Sequence, residues 1–343
     1  MCYTLNMKGG KHMKTKLIVL MGLQGSGKST KAFELKEKMS NTLIISSDDL
    51  REELLGDRTN QEHKDLIFKE VYKRVKENLQ NGVNVIYDAT NTNSRRRVSF
   101  LRGLPKNVEK ILYYINETYD RSCLHDKHRK YKVGKECINK TYKGLQVPYS
   151  HEKWDNIVVD IGVDKYKYID YITQQEVFKR MSQELISYDD FTKIINDGSL
   201  SYSLGTMFNV CQDNPNHTFS IDKHTYYVYE YIFKKYEKED REDLIIASLF
   251  HDVGKPFCKE YPSGLRYARY FGHENVGGQI TLRELIKLGY SQERALKIAS
   301  LVGLHMRMSF SLDMMADRKL ENLVGEETFI KLNYLRQADI QAK

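Results

Sequence analysis

The stretch LIVLMGLQGSGKST, residues 17 to 30, restricts the fold more than any other. Gly22, Gly27, Lys28 and Ser29 satisfy the spacing G-x-x-x-x-G-K-S/T, with a further glycine at Gly25. In such a loop the glycines let successive backbone N–H groups curl around phosphate oxygens. The loop works only where a buried strand ends and a helix begins, because the helix N-terminus adds partial positive charge. An apolar run precedes it and a helical pattern follows, with Ala32, Leu35 and Met39 on one face. That order requires a parallel sheet wrapped by helices. Within it Lys28 would reach the β- and γ-phosphates of ATP, Ser29 would bind Mg²⁺, and Gly22, Gly25, Ser26, Gly27 and Thr30 would line the phosphates.

The rest of the first half continues the alternation. NTLIIS, VNVIYDAT, KILYYIN and NIVVDI read as further strands, making about five with the first. Leu66, Ile67, Val71 and Val75 mark a long helix that Gly82 closes. Ligands in open α/β sheets bind at the carboxyl ends of strands. Two acidic residues stand there, in SSDDLR and YDAT. Asp48 can take the proton of an alcohol acceptor, and Arg51, one helical turn on, can grip an anionic group. Alternatively, Asp48 or Asp49 simply starts the following helix. Asp88 can approach the nucleotide's Mg²⁺ or orient Arg51. The basic stretch RSCLHDKHRKYKVG can fold over the triphosphate, with Arg129 as its best candidate, or can be a solvated basic face.

With 343 residues, about two domains are expected, and the pattern changes after residue 165. Beyond it the chain reads helical, and five of the ten histidines follow residue 200. The ordered run His224, His251–Asp252, His273, His305 and Asp339 offers imidazoles and carboxylates, a donor set for Mn²⁺, Fe²⁺, Co²⁺, Ni²⁺ or Zn²⁺. Asp252 could bridge two ions that activate a water. Gly254 is expected to end the helix, Lys255 is placed to hold a phosphate, and His217 divides between packing and phosphate contact. Five cysteines without C-x-x-C spacing read as reduced thiols in a cytoplasm. The apolar runs are too short to cross a bilayer. Residues 1–13 read as a disordered leader or an alternative-start artefact. A net charge of +8 favours a polyanionic partner only weakly.

Together GLQGSGKST, SSDDLR, DATNTN and DKHRKYKV resemble the kinase module of phage-type polynucleotide 5′-kinases, over residues 14–165. The resemblance implies that Asp48 is the general base on a 5′-OH, Arg51 contacts the acceptor's phosphate, and Lys28 and Arg129 stabilise the transferring phosphoryl group. His125 stands where that family often has a first lid arginine. The histidine series resembles the HD phosphohydrolase superfamily over residues 205–343. NPNHTFSIDKHT and SLFHDVGKP look most like the HD domain of CCA-adding tRNA nucleotidyltransferases. The implied fold is an α/β P-loop kinase domain with a doubly wound parallel sheet, a helical linker over 166–204, and an all-α HD domain. Fused kinase–HD enzymes heal RNA ends, commonly with the HD module first. The implied activity phosphorylates 5′-OH ends and removes 2′,3′-cyclic phosphate or 2′-phosphate ends. Its implied substrates are broken RNA ends, tRNA among them, with DNA ends as the alternative, and a separate RNA ligase is the expected partner. Two alternatives stand beside it: a small-molecule kinase fused to an HD nucleotidase, and a nucleotide-sensing regulator.

Overall fold

The computed structural model describes residues 14–60, 62–162, 171–196, 200–215, 218–308 and 314–342. The expected leader and His217 lie outside the described residues. The first half alternates β1 (Thr15–Gly22), α1 (Lys28–Glu37), β2 (Thr42–Ser46), α2 (Ser47–Leu55), α3 (Lys64–Gln80), β3 (Asn84–Asp88), α4 (Ser94–Arg102), β4 (Val108–Ile115), α5 (Tyr119–Lys127), α6 (Lys135–Gly144) and β5 (Asn156–Asp160). All five strands pair in parallel in the order β2-β3-β1-β4-β5. β1 is therefore central, and its carboxyl end opens at the switch in strand order. The two-residue period explains why it is apolar throughout. Leu17, Val19 and Met21 enter the main core, whereas Ile18 and Leu20 face Ala32 of α1 on the other side.

The second half is helical: α7 (Tyr171–Gln183), α8 (Tyr188–Asn196), α9 (Tyr202–Gly205), α10 (Ile221–Lys235), α11 (Arg241–Phe250), α12 (Lys255–Cys258), α13 (His273–Lys287), α14 (Gln292–Leu304), α15 (Met314–Val324) and α16 (Glu326–Gln341). The helices of the expected linker are packed ones. Phe178 of α7 meets Phe250 of α11 at a 6.3 Å ring separation, and Phe191 of α8 packs on Tyr229 of α10. Among the described residues no helix is long and apolar enough to cross a membrane.

One apolar core runs through both halves. α13 lies along the seam. Its Gln279 Nε2 donates to the carbonyls of Tyr142 (2.8 Å) and Leu145 (3.0 Å). Asn116, at the end of β4, donates to the Gln279 carbonyl (3.0 Å), and Asn275 donates to Lys143 O (2.9 Å). Val159 of β5 donates its N–H to Gln292 Oε1 (2.7 Å), so a side chain of α14 covers part of the sheet edge.

Candidate active sites

The loop after β1 has the form its glycines predict. Gly25 takes a φ of 78°, and a Cβ there would lie 2.3 Å from Ser122 O of α5, so only glycine lets that helix sit on the loop. His125 seals the contact: its Nδ1 lies 2.9 Å from Gly25 O and donates to it, since a carbonyl only accepts. Lys28 is buried and donates to Leu23 O (2.6 Å). Burial lowers its pKa to about 8, against the pull of Asp88; Arg129 lowers it further and Asp48 raises it. These charges converge on one ammonium group, whereas Gly27, Ser29 and Thr30 face solvent.

Two expectations at the acceptor side are corrected. Ser46, not Asp48 or Asp49, caps α2: its hydroxyl accepts from the N–H groups of Asp48 (3.2 Å) and Asp49 (3.3 Å). Both aspartates fall in the first turn, and Asp48 Oδ1 pairs with Arg51 Nη1 at 2.6 Å. Arg51 is thus oriented by Asp48. Asp88 instead accepts from Ser29 Oγ at 2.7 Å. Burial raises the pKa of Asp88, and Lys28 opposes this. Arg51 Nε is buried without a hydrogen-bond partner, and so is Ser26 Oγ. Arg129 follows α5, 3.7 Å from Asp126. The Asp126 carboxylate accepts from Val133 N and Gly134 N, folding the basic loop back on itself.

The second site is built from four helices and the turn after α14. His224 comes from α10, His251 and Asp252 from the end of α11, His273 from the start of α13, His305 from just beyond α14, and Asp339 from α16. Each imidazole is anchored the same way. Nδ1 donates to a backbone carbonyl, of Ala342 for His224 (3.1 Å), Ser248 for His251 (2.7 Å), Tyr270 for His273 (2.8 Å) and Val302 for His305 (2.7 Å). In neutral rings so held, Nε2 carries a lone pair. These nitrogens face one another in pairs, His224 against His251 and His273 against His305, each at 3.3 Å. Two lone pairs at that distance repel unless a proton or a metal cation lies between them, and imidazoles aimed nitrogen to nitrogen beside a shared carboxylate suit a divalent metal in each half.

Asp252 joins the halves. Its oxygens lie 3.4 Å from His224, 3.2 Å from His251 and 3.4 Å from His273. His224, His251 and Asp252 form one group with metal-ligand spacing; Asp252, His273 and His305 form another. Asp339 Oδ1 reaches His224 Nε2 at 3.1 Å. Burial lowers His273 to about 3 and His305 to about 4, so both are neutral at neutral pH. For His251, burial pushes the pKa down but the Asp252 charge beside it wins, leaving it raised. Burial penalises the Asp252 charge, yet His251 and Lys255 hold that carboxyl well below its usual range.

Two features of this site escaped the sequence. Lys255 Nζ is held between Asp252 Oδ2 (2.6 Å) and Gln212 Oε1 (2.8 Å), and Gln212 is buried 43 residues upstream in a loop with no pattern. Gly254 does not end the helix. α11 stops at Phe250, and Gly254 starts α12, where a Cβ would meet His273 O at 2.1 Å. The glycine lets α13 bring its histidine to the cluster.

Residues 17–137 match the AAA domain family model, and residues 221–340 match the HD domain family model. The chain is a kinase-like P-loop domain followed by a helical HD domain. A similar curated protein is the CC-adding tRNA nucleotidyltransferase of Thermus thermophilus, 38% identical over 61 residues, which is 18% of this chain and 14% of that one. A solved structure of the Pnkp1/Rnl/Hen1 complex aligns at 26% identity and a TM-score of 0.32, covering 43% of this chain and 46% of that chain. One of the Pnkp1/Rnl/Hen1 RNA repair complex aligns at 26% identity and 0.34, covering 40% and 45%. The chain spans less than half the length of each of these proteins.

Proposed function

We propose that this protein heals broken RNA ends, phosphorylating a 5′-OH at the P-loop and clearing a 2′,3′-cyclic phosphate or 2′-phosphate at the histidine centre. The observation that carries this reading is the pairing, in one chain, of an acceptor-equipped P-loop with a buried centre that ends in a phosphate-seeking lysine. A mere nucleotide switch requires neither the Asp48–Arg51 pair beside Lys28 nor that centre. The name of the curated relative, which places that protein on tRNA, favours RNA over free nucleotides. We assign the kinase domain to residues 14–165, the helical connection to 166–204 and the HD domain to 205–343.

In the first reaction the acceptor oxygen attacks the γ-phosphorus of ATP, ADP leaves, and Asp48 takes the acceptor's proton. Lys28 and Arg129 balance charge on the transferring group, Arg51 holds the acceptor's phosphate, and Ser29 and Asp88 would hold the Mg²⁺ of the nucleotide. In the second, a water oxygen adds to phosphorus, one ring P–O bond breaks, and the proton passes to the departing ribose oxygen. A second water oxygen then adds to the phosphorus of the monoester, the remaining ribose O–P bond breaks, and the water's proton passes to that ribose oxygen as inorganic phosphate leaves. His224, His251, Asp252, His273, His305 and Asp339 would hold divalent cations, whose chemistry when bound is to polarise a phosphate and lower the pKa of water. Lys255 would hold a non-bridging oxygen, and Gln212 aims it.

Sealing then belongs to a separate ligase. The test offers 5′-OH RNA, 5′-OH DNA and free nucleosides with labelled ATP, and separately an RNA ending in a 2′,3′-cyclic phosphate with Mn²⁺, Ni²⁺ or Co²⁺. The expected result is label on polynucleotide ends and cyclic-end conversion that chelation stops. An inert cyclic end beside rapid cleavage of free nucleotides would instead establish a nucleotidase.

A further inference from the structure

The segment between α12 and α13 reads RYARYFGH from Arg266 to His273 and alternates with period two. Glu260 and Arg269 exchange backbone hydrogen bonds (3.0 and 2.8 Å) in an antiparallel bridge, so this stretch is extended. Alternation then sends Ala268 and Tyr270 inward, where both are buried. The Tyr270 hydroxyl bonds Gln212 O, and Lys255 Nζ lies over its ring at 5.7 Å. The inner face is thus the wall behind the Lys255 ammonium group.

The outer face carries Tyr267, Arg269 and Phe271. The Arg269 guanidinium lies over both rings, 6.0 Å from the Tyr267 centroid and 5.5 Å from that of Phe271, giving a ring–guanidinium–ring ladder. Phe271 is 63% exposed, which no packing role requires. Neither Arg266 nor Arg269 pairs with a carboxylate among the described residues. Phe271 also stands two residues before the ligand His273, within about 7 Å of backbone reach.

We propose that Tyr267, Arg269 and Phe271 form a stacking platform for the unpaired bases next to the 3′ end of a polynucleotide, whose terminal phosphate enters the histidine centre. Successive bases need flat partners and their phosphates need unpaired cations, and this face supplies both beside the phosphate site. The proposal rests on the RNA-end reading above, but it is measured by binding.

An eight-nucleotide RNA with a 5′ fluorophore and a 3′-phosphate is titrated by anisotropy against the full chain, with a 3′-phosphorylated mononucleotide as competitor. The octamer should bind at least tenfold more tightly than the mononucleotide. Phe271→Ala and Arg269→Gln should each cut octamer affinity about 5- to 150-fold, the range for one lost stacked base. Phe271→Trp should keep the affinity within twofold, whereas Phe271→Leu, which would satisfy any packing role, should behave as Phe271→Ala. A length preference that survives Phe271→Leu and Arg269→Gln overturns the platform, and so does its absence in the wild type. If the preference depends on Phe271 while the cyclic end stays unconverted, the platform stands and the end-healing reading falls. Conversion without that dependence sinks the platform and leaves end healing in place.

Discussion

At the P-loop, Asp48 keeps 46% and Arg129 38% of its side chain in solvent, whereas all four histidines of the second site are buried. The P-loop is shaped by backbone and glycine, and its charges answer one another until nucleotide arrives. Lys28 holds a carbonyl, and Arg51 holds Asp48. In the histidine centre each ring is fixed from behind by a backbone carbonyl, three residues back for His251, His273 and His305 and across the fold at Ala342 for His224. One site is completed by its substrate; the other is finished by folding. The contrast follows from the ligands. A triphosphate brings its own charge and many acceptors, but a metal needs donors positioned in advance.

The strongest way to break this comparison is to remove groups on the substrate-completed side. Lys28→Ala and Asp48→Ala should lower 5′ transfer by about 10²- to 10⁴-fold. Asp48→Ala should still bind ATP, because only acceptor deprotonation is lost. A near wild-type rate from Asp48→Ala would return that residue to a purely structural role. On the pre-built side, His251→Ala should reduce metal-dependent hydrolysis by more than about 100-fold, beyond what loss of a supporting group costs. Transfer should remain within about threefold, since each site carries its own donors. Loss of both activities in folded protein would replace two sites with one shared machine.

A pH titration sharpens the picture further. Lys28 in the free protein gives up its proton near pH 8, and a bound triphosphate would hold that proton on. Binding therefore takes up a proton above pH 8, and ATP affinity should fall by roughly tenfold per pH unit until the bound pKa is reached. Calorimetry in two buffers of different ionisation heat reads this uptake directly; identical heats at pH 9 would refute it. The smallest effect belongs to the seam. Gln279→Ala leaves the Tyr142 and Leu145 carbonyls without their donor and should destabilise the fold by about 1–3 kcal/mol. Both activities should stay within twofold, with a single unfolding transition by scanning calorimetry. Two separated transitions in the wild type would show that the halves fold independently despite their joint core.

The strands and the loop were legible because each is a local pattern with one physical meaning, and the histidine series because its residue types recur in order around one His251–Asp252 doublet. Alternating or unbroken apolar runs give strands, and a fixed spacing of glycine, lysine and serine gives a phosphate cradle. What was not legible depends on residues far apart in the chain. Ser46 and Asp48 are both good helix caps by type, and only the strand's endpoint decides between them. Gly254 reads as a helix stop until α13 is seen to cross it. Gln212 has no neighbours in sequence that mark it, since its role comes from a lysine 43 residues away. The seam is the least legible region of all. Asn116, Gln279 and Gln292 are polar residues whose partners are mostly backbone groups of the other half, and side-chain pattern carries no record of that.

The seam also has a history within each molecule's birth. Tyr149 reaches Gly303 O across 154 residues, so the sheet is made long before α13 and α14 emerge to cover its flank. At about 5–20 residues per second, that flank waits roughly 8–30 s on the ribosome. Val147 and Tyr149, buried in the finished protein, are then open to solvent or to a chaperone. Proteolysis of nascent chains stalled before residue 273 should cut around residues 142–149, and protection there would show an interim cover. The helix that closes this gap, α14, runs directly into His305, so the last step of covering the first half also sets a histidine of the second site in place.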